Sequence, residues 1–392
     1  ASEKTRINLH LEKPLWERPP VIVGGTDGSG TRGCVTLLLS QGVLMLSDAG
    51  GASDCQYDVH GKEMHREGWP PVVTAVLKET SRADYSPDSL SPQTQKQTMA
   101  MVQRMADKFR TRVQQKLKKE EDPSHYVRWG FKAPVSMYMV PFWAAAFPGC
   151  SFLHVVRDGR DMSFHWLQSP VKRYWPALFP QHFSALPPSQ RGGSSLIPDH
   201  GSYQGKAYIY DVPRLGAAKE LNMAPHFRIA ELWEKSNIEV NRVGKRLAEA
   251  DPSGAHLASF LTVRSEDFVT TETRFYAASR AIMNAIRPEL SLKETCCLVT
   301  AHWQAEHSSA GWAKNMQNYG KWKLGVAPYG GTGGTFYSGI HERTVNALKQ
   351  FGYLEDAGGS AWSYGTEEDG AGSCAAVTEC PARKHHKQKC LD

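Results

Sequence analysis

A chain of 392 residues, 41% hydrophobic and 22% charged, has the composition of a globular protein with one large or two ordinary domains. Its net charge of +6 comes from basic residues spread along the sequence, which suits an anionic small ligand or polymer as well as it suits nucleic acid. No apolar run approaches the ~18 residues of a membrane span, and no signal peptide is visible at Ala1.

Residues 1–20 are polar, end in Pro19-Pro20 and read as a leading arm. The β-branched run at 21–23 predicts a short buried strand. A turn with Gly24, Gly25, Gly28 and Gly30 follows, then an apolar segment long enough for a helix. Strand, glycine turn and helix together aim several backbone N–H groups at one anion. Ser29 and Thr31 add hydroxyl donors, so this loop is the expected seat of a phosphate or sulfate. It reads as neither a Walker A loop nor a Rossmann G-x-G-x-x-G turn. Gly25 and Gly30 have the right spacing, but Thr31-Arg32 stands where Lys-Ser/Thr is required. A plain glycine-rich turn is the bland alternative.

Residues 47–54 form a loop directly downstream of the anion site, and Asp54, Asp58, His60 and Glu63 cluster there. Residues 86–97 read as a Ser/Pro/Gln loop. The stretch 98–121 predicts a charged helix with Met101, Met105, Phe109 and Val113 as its core stripe. A helix-like stretch at 136–146 ends at Phe147-Pro148. Residues 151–156 read as a buried parallel strand, after which Arg157-Asp158-Gly159-Arg160-Asp161 turns into another helix. Two strand–loop–helix units predict an α/β fold: a P-loop-like doubly wound parallel sheet flanked by helices, with ligands bound outside the carboxyl ends of the strands.

Residues 168–225 are rich in Pro, Tyr, Trp and Gly and too long for an ordinary connection. They read as an insertion over the active site for acceptor recognition, with Tyr174, Trp175, Phe179 and Phe183 in need of burial. Helices are expected at 226–250, 273–286, 290–308 and 340–351, and a strand at 257–263. Residues 314–323 form a basic, aromatic loop, and the glycine-rich stretch 328–339 reads as a mobile segment. The main domain is 21–355, and 356–392 is a low-complexity tail.

Of eight cysteines, Cys34 and Cys150 sit in apolar surroundings and read as buried thiols. Cys374, Cys380 and Cys390 lie in the polar tail, where a disulfide or free thiols are both open. No zinc spacing is present, and no metal is expected.

The glycine loop, Arg157 behind a strand and the 319–323 loop supply two anion sites and an aromatic surface for a base. At these residues the chain resembles the sulfotransferases that use 3′-phosphoadenosine 5′-phosphosulfate (PAPS), closest to the Golgi-type branch that includes the tyrosylprotein sulfotransferases. The resemblance implies that Gly28, Ser29, Gly30, Thr31 and Arg32 hold the 5′-phosphosulfate, and that Arg157 holds the 3′-phosphate with Ser163 and His165. It further implies that Lys321 and Trp322 complete the nucleotide site. Lys132, in Lys132-Ala133-Pro134, falls at the family's reaction centre. The segments 263–268 and 347–354 resemble two further family elements. The family's Lys or Arg before Ser-Gly-Thr is Gly28 here, which leaves Arg32 or Lys132 to compensate.

The implied reaction moves a sulfuryl group from PAPS to a hydroxyl of an acceptor, with a carbohydrate favoured over a tyrosine peptide or small phenol. Neither nucleic acid nor a membrane span is expected. Lys132 supplies the cation, and Asp54, with His60 and Asp58 as alternatives, is the expected general base. Two other readings stay open: a Mg-ATP phosphotransferase of the P-loop class, and a non-catalytic anion- or glycan-binding protein. The Golgi lumen or secretory pathway is the expected compartment, with the cytoplasm as alternative.

Overall fold

The computed structural model describes residues 13–46, 69–80, 89–163, 169–191, 225–249, 256–307 and 332–354, together with Tyr364 and Cys374. Five strands form one sheet: β1 (Val21–Gly25), β2 (Val43–Leu46), β3 (Arg128–Lys132), β4 (Cys150–Val156) and β5 (Leu257–Arg264). All pairs are parallel, in the order β2-β3-β1-β4-β5. The continuous apolar strands expected of a sheet covered on both faces are present, since β1, β2 and β4 are buried at every position.

Alternate strand residues feed two cores. Ile22, Leu44, Phe131 and Phe152 pack with α2 (Trp69–Thr80), α3 (Pro92–Leu117), α4 (Val140–Ala146), α6 (Ser169–Leu178) and α8 (Pro225–Glu249). Val21, Val23, Met45 and Leu153 pack on the other face with α1 (Thr31–Ser40), α9 (Glu272–Ile286) and α10 (Leu292–His307). The stripe Met101, Met105, Phe109 and Val113 is buried core. The thiols of Cys34 and Cys150 are free and buried.

Several boundaries differ from the sequence reading. Helix α3 starts at Pro92, inside the stretch read as a loop, because the Ser91 hydroxyl accepts from Thr94 N–H and a proline occupies the first turn. The 136–146 stretch divides into a 3-10 turn, Pro134–Met139, and α4, with Pro141 in the new first turn. The final helix, α11 (Thr332–Gln350), takes in part of the glycine-rich stretch expected to be mobile. The stretch 168–225 begins with two helices, α6, which carries buried Tyr174 and Trp175, and α7 (Pro180–Ala185). Glu231 of α8 ties it down, accepting from Trp175 Nε1 at 3.1 Å. Cys374 of the tail pairs with Cys296 of α10, and Cys297 is also disulfide-bonded. Cys380 and Cys390 lie outside the described residues.

A buried polar chain stitches β4 to α8. His154 Nε2 lies 3.0 Å from Asn237 Oδ1, and Thr262 of β5 donates to Asn241 Oδ1 at 2.8 Å. Burial pushes the His154 imidazole down to about 4. Between its ordinary value near 6.5 and that value, the unfolded chain binds a proton that the folded chain does not. Stability is therefore retained above pH ~6.5 and lost as pH falls towards 4, by about 3 kcal/mol from this residue alone. Urea unfolding at pH 7.5 and 4.5 checks this: His154→Gln should show a smaller acid-side loss than the wild type.

Candidate functional site

The chain leaves β1 towards β2 on one side of the sheet and leaves β4 towards β5 on the other. The carboxyl ends of β1 and β4 therefore border the crevice where parallel α/β sheets bind ligands. The glycine loop and Arg157 flank that crevice.

After β1 the chain turns tightly, with Ser29 N–H donating to Thr26 O at 2.9 Å. Gly28 and Gly30 have φ of 88° and 86°, where a side chain is strained. Gly30 caps α1, whose first residue is buried Thr31. Thr26 Oγ1 and Ser29 Oγ are buried and have no hydrogen-bond partner among the described residues. Buried hydroxyls are normally partnered, so two such groups beside a helix N-terminus are the donor set an oxyanion requires. Arg32 points to solvent.

Contrary to the expectation that no Rossmann turn is present, Gly28, Gly30 and Gly33 do carry the G-x-G-x-x-G spacing of dinucleotide-binding turns. The strand order separates the two cases. Dinucleotide folds place β2 beside β1, whereas here β3 lies there.

Arg157 is 5% exposed and crosses to the loop, its Nη1 donating to Gly28 O at 3.3 Å. Its Nη2 donates to Asp161 Oδ2 at 3.3 Å, one helical turn along α5 (Gly159–Ser163). Arg160 forks onto Asp158, with Nε to Oδ1 at 2.9 Å and Nη2 to Oδ2 at 2.6 Å. The 157–161 segment thus closes on itself in two interlocked pairs. Gly159 is required there, because a Cβ would come within 2.4 Å of the Trp233 ring on α8.

Lys132 ends β3 and is buried, in register with Val23 of β1. The 3-10 turn behind it passes β1 closely, so that a Cβ at Gly24 would lie 3.0 Å from Met137 N. Burial raises the phenols of Tyr138 in that turn and Tyr174 in α6 above the ordinary tyrosine value, and Asp27 of the glycine loop adds to both shifts.

Ser163 donates its hydroxyl proton to Gly159 O at 2.8 Å, so the donor expected to serve a phosphate is taken by its own helix. Asp54, Asp58, His60, His165, Lys321 and Trp322 lie outside the described residues.

The end of β5 adds groups to which the sequence reading gave no role. Arg264 forks onto Asp267 at 3.2 and 2.7 Å and donates to Gly352 O at 2.8 Å. Glu266 Oε1 accepts from Asp158 N–H at 2.8 Å, and its Oε2 accepts from Tyr353 OH at 2.7 Å. Burial pushes the Glu266 carboxyl up to about 7. The segments 263–268 and 347–354, far apart in sequence, therefore meet directly behind Arg157.

The described residues form an α/β protein with a parallel five-stranded sheet, and the glycine turn and Arg157 meet at its carboxyl edge. No protein-family model, curated protein or solved structure matches the chain.

Proposed function

We propose that the protein is a PAPS-dependent sulfotransferase acting on a hydroxyl acceptor, with a carbohydrate the favoured class. The observation that supports the reading is the meeting of two elements at the carboxyl ends of β1 and β4. One is a P-loop-like glycine turn whose Thr26 and Ser29 hydroxyls have no hydrogen-bond partner among the described residues, and the other is buried Arg157, bonded to that same turn. Their residue types and order are those that gave the sulfotransferase resemblance.

The residues present fit a bisphosphorylated nucleotide. The N–H groups of Gly28, Gly30 and Thr31, with the Thr26 and Ser29 hydroxyls, would hold the 5′-phosphosulfate, and Arg157 the 3′-phosphate. When bound, PAPS supplies the sulfuryl group and a nucleotide leaving group. Lys132, fixed at the end of β3, supplies positive charge where oxygen charge develops. Asp54 or His60 would take the acceptor proton. The stretch 168–225 would form the acceptor side; Tyr174 and Trp175 are buried in its packing, so sugar recognition would fall to the aromatic residues further along it. The Cys296–Cys374 bond suits an oxidising compartment such as the secretory lumen. Among the described residues no helix is long and apolar enough to cross a membrane.

Calorimetric titration with adenosine 3′,5′-bisphosphate and with ATP-Mg²⁺ tests the donor. Metal-independent binding of the bisphosphate is expected, and a preference for ATP-Mg²⁺ would turn the site over to phosphoryl transfer. Lys132→Ala should lower sulfuryl turnover by about a hundredfold while bisphosphate affinity changes little. A protein that only binds would show no turnover to lose.

A further inference from the structure

We infer that Glu266 is a positioning residue for the nucleotide, acting through Asp158 N–H and the Tyr353 hydroxyl on the backbone that carries Arg157. The inference rests on the nucleotide reading of Arg157 and goes beyond it by coupling that site to a proton.

The geometry is direct. Asp158 N is the first backbone donor after Arg157, and Glu266 Oε1 holds it at 2.8 Å. The other carboxyl oxygen is held by Tyr353, from a turn 87 residues away in sequence. That turn is itself clamped, with Arg160 Nη2 donating to Tyr353 O at 3.4 Å and Arg264 Nη1 to Gly352 O. One carboxyl thus joins the ends of β4 and β5 to the end of α11.

The charged groups around Glu266 fix the sign of its effect. Arg157 and Asp158 face it from β4, with Asp158 committed to Arg160. Tyr353 faces it from the C-terminal turn. On its own segment Ser265 lies within 3.4 Å, while Arg264 is committed to Asp267. A charged Glu266 draws on the potential of Arg157 and repels an incoming phosphate, whereas a neutral carboxyl does neither. The pushed-up carboxyl titrates near neutrality, and a phosphate arriving at Arg157 raises it further. Bisphosphate binding should therefore take up a proton at Glu266.

The test is calorimetry of wild type, Glu266→Gln and Tyr353→Phe with adenosine 3′,5′-bisphosphate at pH 6.5 to 8.5, in buffers of different ionisation enthalpy. Wild type should lose affinity by roughly tenfold across that range and take up a fraction of a proton near pH 7.5. Glu266→Gln should bind with a flatter profile and less proton uptake. Tyr353→Phe, which removes a hydrogen bond that lowers the carboxyl, should move the profile to higher pH. It serves as the second reading should Glu266→Gln fold poorly. Equal proton uptake in wild type and both variants would overturn the role of Glu266 and leave the sulfotransferase reading standing. Absence of bisphosphate binding by wild type at every pH would overturn both.

Discussion

Arg157→Ala should weaken adenosine 3′,5′-bisphosphate binding at least ~100-fold, the scale of removing a charged partner from a desolvated ion pair. The same change has a structural cost that must be separated from the binding loss. Arg157 and Asp161 have side chains only 5% and 1% exposed, so alanine strips a buried carboxylate of its guanidinium. Such a change costs about 3–5 kcal/mol of stability. The pair Arg157→Gln with Asp161→Asn removes both charges and should restore much of that stability without restoring binding. Calorimetry and urea unfolding on the single and paired variants read the two effects apart. Wild-type affinity in the paired variant would remove Arg157 from the ligand site.

The second large effect is covalent. Cys296 and Cys374 are separated by 78 residues, and closing a loop of that size restricts the unfolded chain by about 4 kcal/mol. Cys296→Ser with Cys374→Ser should lower the urea midpoint accordingly. Both cysteines are replaced because a lone thiol at 296 would stand beside the disulfide-bonded Cys297 and invite exchange. The loss should fall on the face of α9 and α10, to which both sulfurs belong. Hydrogen exchange should therefore rise there more than in α3. A change of less than 1 kcal/mol would mean that the unfolded chain is held by other means.

Short-range chemistry was the legible part of this sequence. The glycine turn, the strand before it and the Met101-to-Val113 stripe are each set by periodicity or by local steric demand, and they stand where expected. Strand β3 went unread because Arg128 at its start looks like a surface residue. Its side chain is instead half-buried, donating to Pro19 O and Ile286 O at 3.0 Å each, and desolvation pushes it down to about 10. Those acceptors come from the leading segment and from α9, a juxtaposition that no window of sequence contains. The pairing of Arg157 with Asp161 was readable in principle from i,i+4 spacing. Glu266 with Tyr353 was not, since their meeting depends on how β5 and α11 end.

The disulfide also decides how the molecule carries mechanical load. Force applied beyond Cys374 enters α10 through the bond to Cys296. The Gly352–Tyr353 turn, held by hydrogen bonds and packing behind Arg157, lies upstream of that staple and is shielded from the pull. A tether on the tail should therefore leave the crevice intact under tensions that would open it once the bond is reduced.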